Sequence, residues 1–187
     1  IDADIELSKF NNYSLNLAIN DLDVDKIDQL MFLNNRYQGI LNGDLSIQNI
    51  NSDKNMLASL FIDDSRFDDF EYNQTTIQAS LKNNLLSINK FMNVNDTSSF
   101  NLIGYIQLQN KNNSLFSPYD LVDLKASINN LDISLFNKYD PWTFNIGGNL
   151  NSSINITGTL GSIQFDADPI INKPVLDRIV GDKISAM

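Results

Sequence analysis

The chain contains neither cysteine nor histidine among its 187 residues. Cysteine thiolates are common nucleophiles, histidine is the commonest general base, and together they hold most protein-bound zinc. Their absence excludes these forms of catalysis and the usual zinc sites. It does not distinguish a reducing from an oxidising compartment, because a cysteine-free chain suits both. The sequence also lacks an apolar run near the roughly 18 residues that a membrane-spanning helix needs.

Positive charge is scarce. Lysine and arginine occupy 13 positions against 23 for aspartate and glutamate, which gives a formal net charge of −10. Basic patches supply most of the affinity of proteins for nucleic acids, and they also hold proteins on anionic lipid surfaces. We therefore expect no nucleic-acid partner and no electrostatic adhesion to a membrane surface.

A twelve-residue motif occurs twice, at 14–25 and at 123–134. A glycine-led strand pattern follows each copy. A fixed spacing of this kind indicates stacked copies of one supersecondary unit, which form an extended surface instead of a single catalytic pocket. We therefore expect a protein that is not an enzyme and needs no cofactor. The identical pairs, all 109 residues apart, are Leu15/Leu124, Ile19/Ile128, Asn20/Asn129, Leu22/Leu131 and Asp23/Asp132.

The repeat predicts a single continuous domain over 1–187 with units of about 105–109 residues. Residues 1–12 are interpreted as the end of one unit, 13–120 as a complete unit, and 121–187 as a truncated following unit. Residues 1–7 fit the pattern of 102–108, and 179–187 fit 70–79 only with a two-residue gap. The chain has no initiator methionine and begins and ends in strand patterns, so we expect a piece of a longer protein.

Alternation of apolar and polar residues with period two dominates the sequence and predicts β-strands. It is clearest over 100–108, where Ile103 is the one exception on the polar side. Polar clusters at 51–55, 82–84, 95–99 and 110–113 predict short turns, and strands joined by short turns pair antiparallel. The sequence therefore predicts a mainly β protein with one apolar and one polar sheet face.

Two segments depart from this alternation and predict short amphipathic helices, one per unit. Apolar residues recur at helical spacing over 24–32 and over 133–139. Asp23 and Asp132 precede them in the position of a helix-capping residue.

Three features were weighed as sites. The alternating aspartates Asp21, Asp23, Asp25 and Asp28 suggest a calcium loop, but its required Gly and Glu positions hold Lys26 and Phe32, so capping is favoured. Asp63, Asp64, Asp68 and Asp69 could supply paired carboxylates, and a polar strand edge that discourages pairing is the favoured interpretation. Trp142 could mark a membrane interface or binding hot spot, and closure over a helix end is favoured.

The strand patterns resemble those of TamB-like proteins in the AsmA-like superfamily. Residues 39–47, GILNGDLSI, resemble the G-x-L-x-G-x-L-x-I strand of that family. Residues 95–106 are similar to its later D-x-x-x-N-x-x-L-x-G-x-I strand, and 148–160 resemble the first strand again. The proline often found after the first strand is absent, since 51–55 read NSDKN.

This resemblance implies an antiparallel sheet curled into an open half-pipe (a β-taco-like groove) that is apolar inside. It implies a periplasmic location in a Gram-negative bacterium, within a parent protein anchored in the inner membrane. The implied function is conduction of phospholipid acyl chains towards the outer membrane, supporting outer-membrane biogenesis. An outer-membrane barrel protein is an implied partner, reached through a C-terminal part outside this chain.

On this interpretation one apolar wall lines the groove. Its predicted members are Leu15, Leu17, Ile19, Leu45, Ile47, Ile77, Leu81, Leu86, Ile88, Phe100, Leu102, Ile106, Leu108, Leu124, Ile128, Ile154 and Ile156. The alternative is a structural or adhesive β-repeat stalk of a bacterial surface protein. A β-solenoid of that kind repeats about every 20–30 residues, whereas the spacing here is 109.

Overall fold

The computed structural model describes residues 2–7, 13–26, 37–50, 53–67, 70–109, 116–139, 145–177, 179–181 and 183–185. These residues form twelve strands and one 3-10 helix, in addition to a helical turn at 24–26. The long strands are β1 (Asp2–Leu7), β2 (Tyr13–Asp23), β3 (Tyr37–Ile50), β4 (Asp53–Phe67), β5 (Phe70–Lys82), β6 (Leu85–Val94), β7 (Ser99–Gln107), β8 (Leu121–Asp132), β9 (Ile146–Thr159) and β10 (Ser162–Leu176). The 3-10 helix η1 (Ile133–Tyr139) follows β8, and the short strands β11 (Ile179–Val180) and β12 (Lys183–Ser185) end the described chain.

The strands form one antiparallel sheet in the order of the sequence, from β1 to β10. Both β11 and β12 pair with β10. The sheet is curved and unclosed. The prediction of a mainly β, curved and antiparallel sheet is therefore confirmed.

Two of the predicted turns illustrate why consecutive strands pair. Asn83 and Asn84 connect β5 to β6 with φ of 50° and 61°, the left-handed pair that a two-residue hairpin turn requires and that asparagine tolerates. Asn95 connects β6 to β7, and its Oδ1 accepts hydrogen bonds from the backbone N–H groups of Thr97 (3.0 Å) and Ser98 (2.6 Å). The turn predicted at 51–55 is shorter than expected, because β4 already begins at Asp53.

A bulge at the end of β2 recurs in β8. Asp21 and Asn130 both have a positive φ, of 50° and 53°, and the strand register shifts at each of them. The Asp21 backbone N–H donates to Asn42 Oδ1 at 2.9 Å, and the Asn130 N–H donates to Asn151 Oδ1 at 3.0 Å. Asn130 and Asn151 each lie 109 residues after their counterparts, so the bulge and its hydrogen bond are both duplicated.

A second bulge recurs at the same spacing in β4 and β10. Asp64 and Lys173 have φ of 49° and 50°, and the register with the preceding strand shifts beside each of them. The bounds of β3 and β9 also differ by 109 residues, as do those of β4 and β10.

The chain ends follow different spacings from those predicted. β11 and β12 pair with β10 as β5 pairs with β4, at a constant spacing of 109, so the predicted two-residue gap is wrong. β1 corresponds to β7 at a spacing of 99 instead of the predicted 101, because Ala3 pairs with Leu17 where Leu102 pairs with Ala126. A slip of two residues preserves the face on which each side chain lies. The unit boundaries stay predictions.

Both predicted capping contacts are present. Asp23 Oδ1 accepts the Asp25 N–H at 3.0 Å, and Asp132 Oδ1 accepts the Ser134 N–H at 2.9 Å. The segment predicted at 133–139 is the 3-10 helix η1 rather than an α-helix. Residues 24–26 are helical, and 27–32 lie outside the described residues, as do the predicted turn at 110–113 and Trp142.

The most buried charged side chain among the described residues is Asp120, which is 1% exposed. Its two carboxylate oxygens accept the backbone N–H groups of Gln109 (2.6 Å) and Ser117 (2.7 Å). Because these groups lie at the two ends of the connection between β7 and β8, Asp120 holds that connection against the start of β8. Its burial is therefore compensated by two charge-assisted hydrogen bonds.

Candidate functional site: the apolar face of the sheet

All seventeen predicted wall residues lie on one face of the sheet. Cross-strand partners share a face, so the register carries the assignment from strand to strand. Leu15 faces Ile47, and the same row continues through Met56, Leu81 and Leu86 to Ile106. Leu108 lies one residue beyond β7 on the same alternation and is 6% exposed.

One row runs across the middle of this face, and we call it the midline row. It contains no charged side chain. Its nine members come from nine consecutive strands, β2 to β10, so the row is continuous across most of the sheet. The midline row is Ile19, Gly43, Leu60, Ile77, Phe91, Leu102, Ala126, Ile154 and Ala167.

The two faces of the sheet differ in exposure. On the predicted wall Leu124 is 9% exposed, whereas Leu57 and Ile103 on the opposite face are 62% and 40% exposed. A cavity of about 390 Å³ on the wall side is lined by residues from the end of β2 through to β6, including Val24 and Phe91. Five strands laid flat would span about 19 Å, so one cavity reaches all of them only if the sheet curves towards this face. The apolar face is therefore the inner face of the curve.

The alternation in the sequence missed part of the wall. β4 contributes Met56, Leu60 and Ile62 to it, but Leu57 and Phe61 on the opposite face make the strand apolar throughout and conceal its period. Bulges also change which residues face inwards. A register shift in β6 between Ile88 and Phe91 places Phe91 on the wall, and the bulge at Asp21 does the same for Leu22.

Polar side chains interrupt the row next to the midline row. This neighbouring row is apolar at Leu41 and Ile62, then polar at Thr75 and Asn93, then apolar again at Phe100. Composition gave no signal for this site, because Ser, Thr and Asn are frequent at the turns of this chain as well.

These polar residues form a hydrogen-bonded cluster. The Thr75 hydroxyl donates to Asn93 Oδ1 at 2.7 Å. Its oxygen lies 2.6 Å from Ser65 Oγ, so the Ser65 hydroxyl is the donor of that second bond. Ser65 and Thr75 are 6% and 7% exposed. Burial raises the pKa of Tyr72 above its ordinary value of 10.0, and a hydrogen bond from Asn93 partly offsets the rise. We call Ser65, Tyr72, Thr75 and Asn93 the polar cluster.

Two cavities meet at the polar cluster. Tyr72 and Asn93 line the 390 Å³ cavity and also a second one of about 320 Å³. The second cavity is otherwise mainly apolar, with Phe70, Phe100 and Phe136 among its lining residues. The rings of Phe70 and Phe136 contact each other at 5.6 Å between centroids, which ties η1 to β5.

The predicted acidic features occupy other surroundings. Asp63 and Asp64 are exposed, but the prediction of a strand edge is wrong, because β4 pairs with both β3 and β5. Asp68 and Asp69 lie outside the described residues, as does Asp28 of the calcium-loop pattern. The Asp23 carboxylate is engaged in capping and lies 3.7 Å from Lys26 Nζ. Within the described parts of the chain, no three acidic residues gather as a metal site would require.

No protein-family model, no curated protein and no solved structure matches this chain. None of the described helical segments is long and apolar enough to cross a bilayer. The geometry of the inner face is therefore the basis for any functional conclusion.

Proposed function

We propose that this chain is a segment of a hydrophobic groove that conducts lipid acyl chains along the inner face of its sheet. The observation that carries the proposal is the uncharged midline row across nine strands, on the inner face of an unclosed curve. An unclosed curve leaves room beside the apolar wall, so a chain can lie along the wall while its polar head stays in water.

The energetics favour this use of the wall. Exposing an acyl chain to water costs about 0.8 kcal/mol per methylene group, or about 13 kcal/mol for a 16-carbon tail. A continuous apolar wall keeps most of that cost from arising during transit. Movement along such a wall needs neither catalytic groups nor tight binding at any one position.

We further propose that the groove is built from units of 109 residues, each with a short helix at the same end of the sheet. Two duplicated bulges, a duplicated asparagine contact and equal strand bounds support this period. Six strands, β2 to β7, separate one copy of the motif from the next. At about 4.8 Å per strand, one unit advances the groove by about 29 Å.

The cellular setting is part of the proposal and rests on the resemblance to TamB-like proteins. In that setting the groove belongs to a parent protein anchored in the inner membrane, crosses the periplasm, and carries phospholipid towards the outer membrane. An outer-membrane barrel protein is the proposed partner. The adhesive stalk is the competing function, and lipid binding distinguishes the two.

The first prediction concerns lipid uptake. The purified chain is incubated with vesicles of phosphatidylethanolamine and phosphatidylglycerol, separated from them by flotation, and its bound phospholipid is measured by mass spectrometry. We expect about one phospholipid or more per chain, with little selection between the two head groups, because the midline row contacts only the tails. An acidic soluble protein without an apolar groove is the control. Absence of bound lipid would favour the stalk.

A further inference from the structure

We propose that the polar cluster binds the uncharged ester and hydroxyl region of a glycerolipid whose acyl chain lies along the midline row. This inference rests on the proposed function, since it names the substrate class and the position of the lipid head in the same groove. Three observations support it: the continuity of polar and apolar surface, the direction of the hydrogen bonds, and the charge at the mouth of the cavity.

Polar and apolar surfaces adjoin within one cavity. The 390 Å³ cavity is lined by Ile77 and Phe91 of the midline row and by Thr75 and Asn93 one pleat away. Its volume is within the range of ordinary small-molecule sites. An amphiphile of the right polarity can therefore place its chain on the midline row and its oxygen atoms at the polar cluster.

The hydrogen bonds leave a donor directed to a ligand. Ser65 donates to Thr75, Thr75 donates to Asn93, and the Asn93 amide donates to the Tyr72 phenol oxygen. In the described part of the chain this last bond uses the phenol oxygen as an acceptor and leaves its hydrogen for another acceptor. Burial keeps that hydrogen in place at neutral pH. Ester carbonyl and hydroxyl oxygens are suitable acceptors.

The polar cluster interrupts a row that apolar side chains would fill at lower cost. Buried polar groups contribute little net stability even when satisfied, and replacement by apolar groups of equal shape is often neutral or stabilising. The rows on this face are otherwise suited to a hydrocarbon chain, so a role in binding explains the interruption better than a role in stability.

Charge at the cavity mouth disfavours an anionic head group. Arg66 lies there with Glu71 at 3.8 Å, and Asp64 lines the adjoining polar cavity with both of them. One cation and two carboxylates give this mouth a negative formal charge, in a chain whose net charge is −10. A free carboxylate would be repelled, whereas an ester or glycerol hydroxyl would not.

The test compares two probes with the same ten-carbon acyl group, monodecanoylglycerol and decanoate, by calorimetric titration of the whole chain at pH 8. We expect monodecanoylglycerol to bind at least 3-fold more tightly. Tyr72→Phe should weaken its binding about 3- to 10-fold, as expected for the loss of one hydrogen bond, and should leave decanoate binding nearly unchanged. Tyr105→Phe, which removes a hydroxyl from the opposite face at a 41% exposed position, is the matched control.

Tighter binding of decanoate, or equal loss of affinity in Tyr72→Phe and Tyr105→Phe, would overturn the assignment of the polar cluster. Thr75→Val, an isosteric change, supplies a second variant that should also weaken monodecanoylglycerol. Binding of both probes that depends on Leu102 but not on Tyr72 would reject this inference and leave the groove intact. No binding of either probe would count against both proposals.

Discussion

Leu102→Asp is expected to reduce bound phospholipid at least 10-fold. Leu102 lies in the midline row, flanked on the neighbouring strands by Phe91 and Ala126. A carboxylate at this position would be an unpaired charge in contact with the acyl chain, which costs several kcal/mol when it is desolvated. The measurement is the lipid content of the re-isolated protein after incubation with vesicles. Ile106→Lys, one pleat away on the same face, should act in the same direction.

Ile103→Asp is the matched control for this change. Ile103 is the next residue of β7, lies on the opposite face, and is 40% exposed. An aspartate there remains in water, so lipid binding should stay within about 2-fold of the wild-type value. Gln107→Lys on that face should also be tolerated. Equal loss of lipid in Leu102→Asp and Ile103→Asp, with folding intact by circular dichroism, would contradict the proposed wall.

Gly104→Ala is expected to lower the free energy of unfolding by about 3 kcal/mol, and Gly43→Ala by a similar amount. Their φ angles are 134° and 139°, a region that side chains with a Cβ rarely adopt. A Cβ at Gly104 would also lie 2.8 Å from Leu124 Cα and collide with the Asp123 carbonyl oxygen. At Gly43 it would meet the backbone of β4 in the same way. Glycine permits the close approach by which the sheet curves.

Gly147→Ala is the control for this prediction. Its φ is not in the left-handed region, and an added Cβ would lie at ordinary contact distance, 3.4 Å, from Val175 Cβ. We expect a change of at most about 1 kcal/mol, measured by urea denaturation alongside the other two variants. If all three variants unfold at the same urea concentration, the backbone constraint at Gly43 and Gly104 has no energetic role.

Much of this fold could be predicted because two signals in the sequence agree. Period-two alternation identified the inner face wherever the opposite face is polar, as in β7, and the spacing of 109 coincides with the duplicated bulges at Asp21 and Asn130. β4 was missed from the wall because its two faces are both apolar. Phe91 was missed because a bulge shifts the alternation, and no residue type marks that bulge in advance.

The polar cluster could not be predicted from the sequence. Ser65, Tyr72 and Asn93 come from three strands, and only the register brings them to one cavity. The prediction that Asp63 and Asp64 mark a strand edge failed for a related reason. Sequence identifies polar residues near a strand end, but the order of strands decides whether that strand has neighbours on both sides.

The most direct test of the groove is site-specific photo-crosslinking to phospholipid from positions 100–108, one position at a time, omitting Gly104. The proposed function predicts labelling from Phe100, Leu102, Ile106 and Leu108, whose side chains lie on the inner face. It predicts no labelling from positions 101, 103, 105 and 107 on the opposite face. Uniform labelling, labelling of the opposite face, or none at all would contradict the claim that acyl chains travel along this sheet.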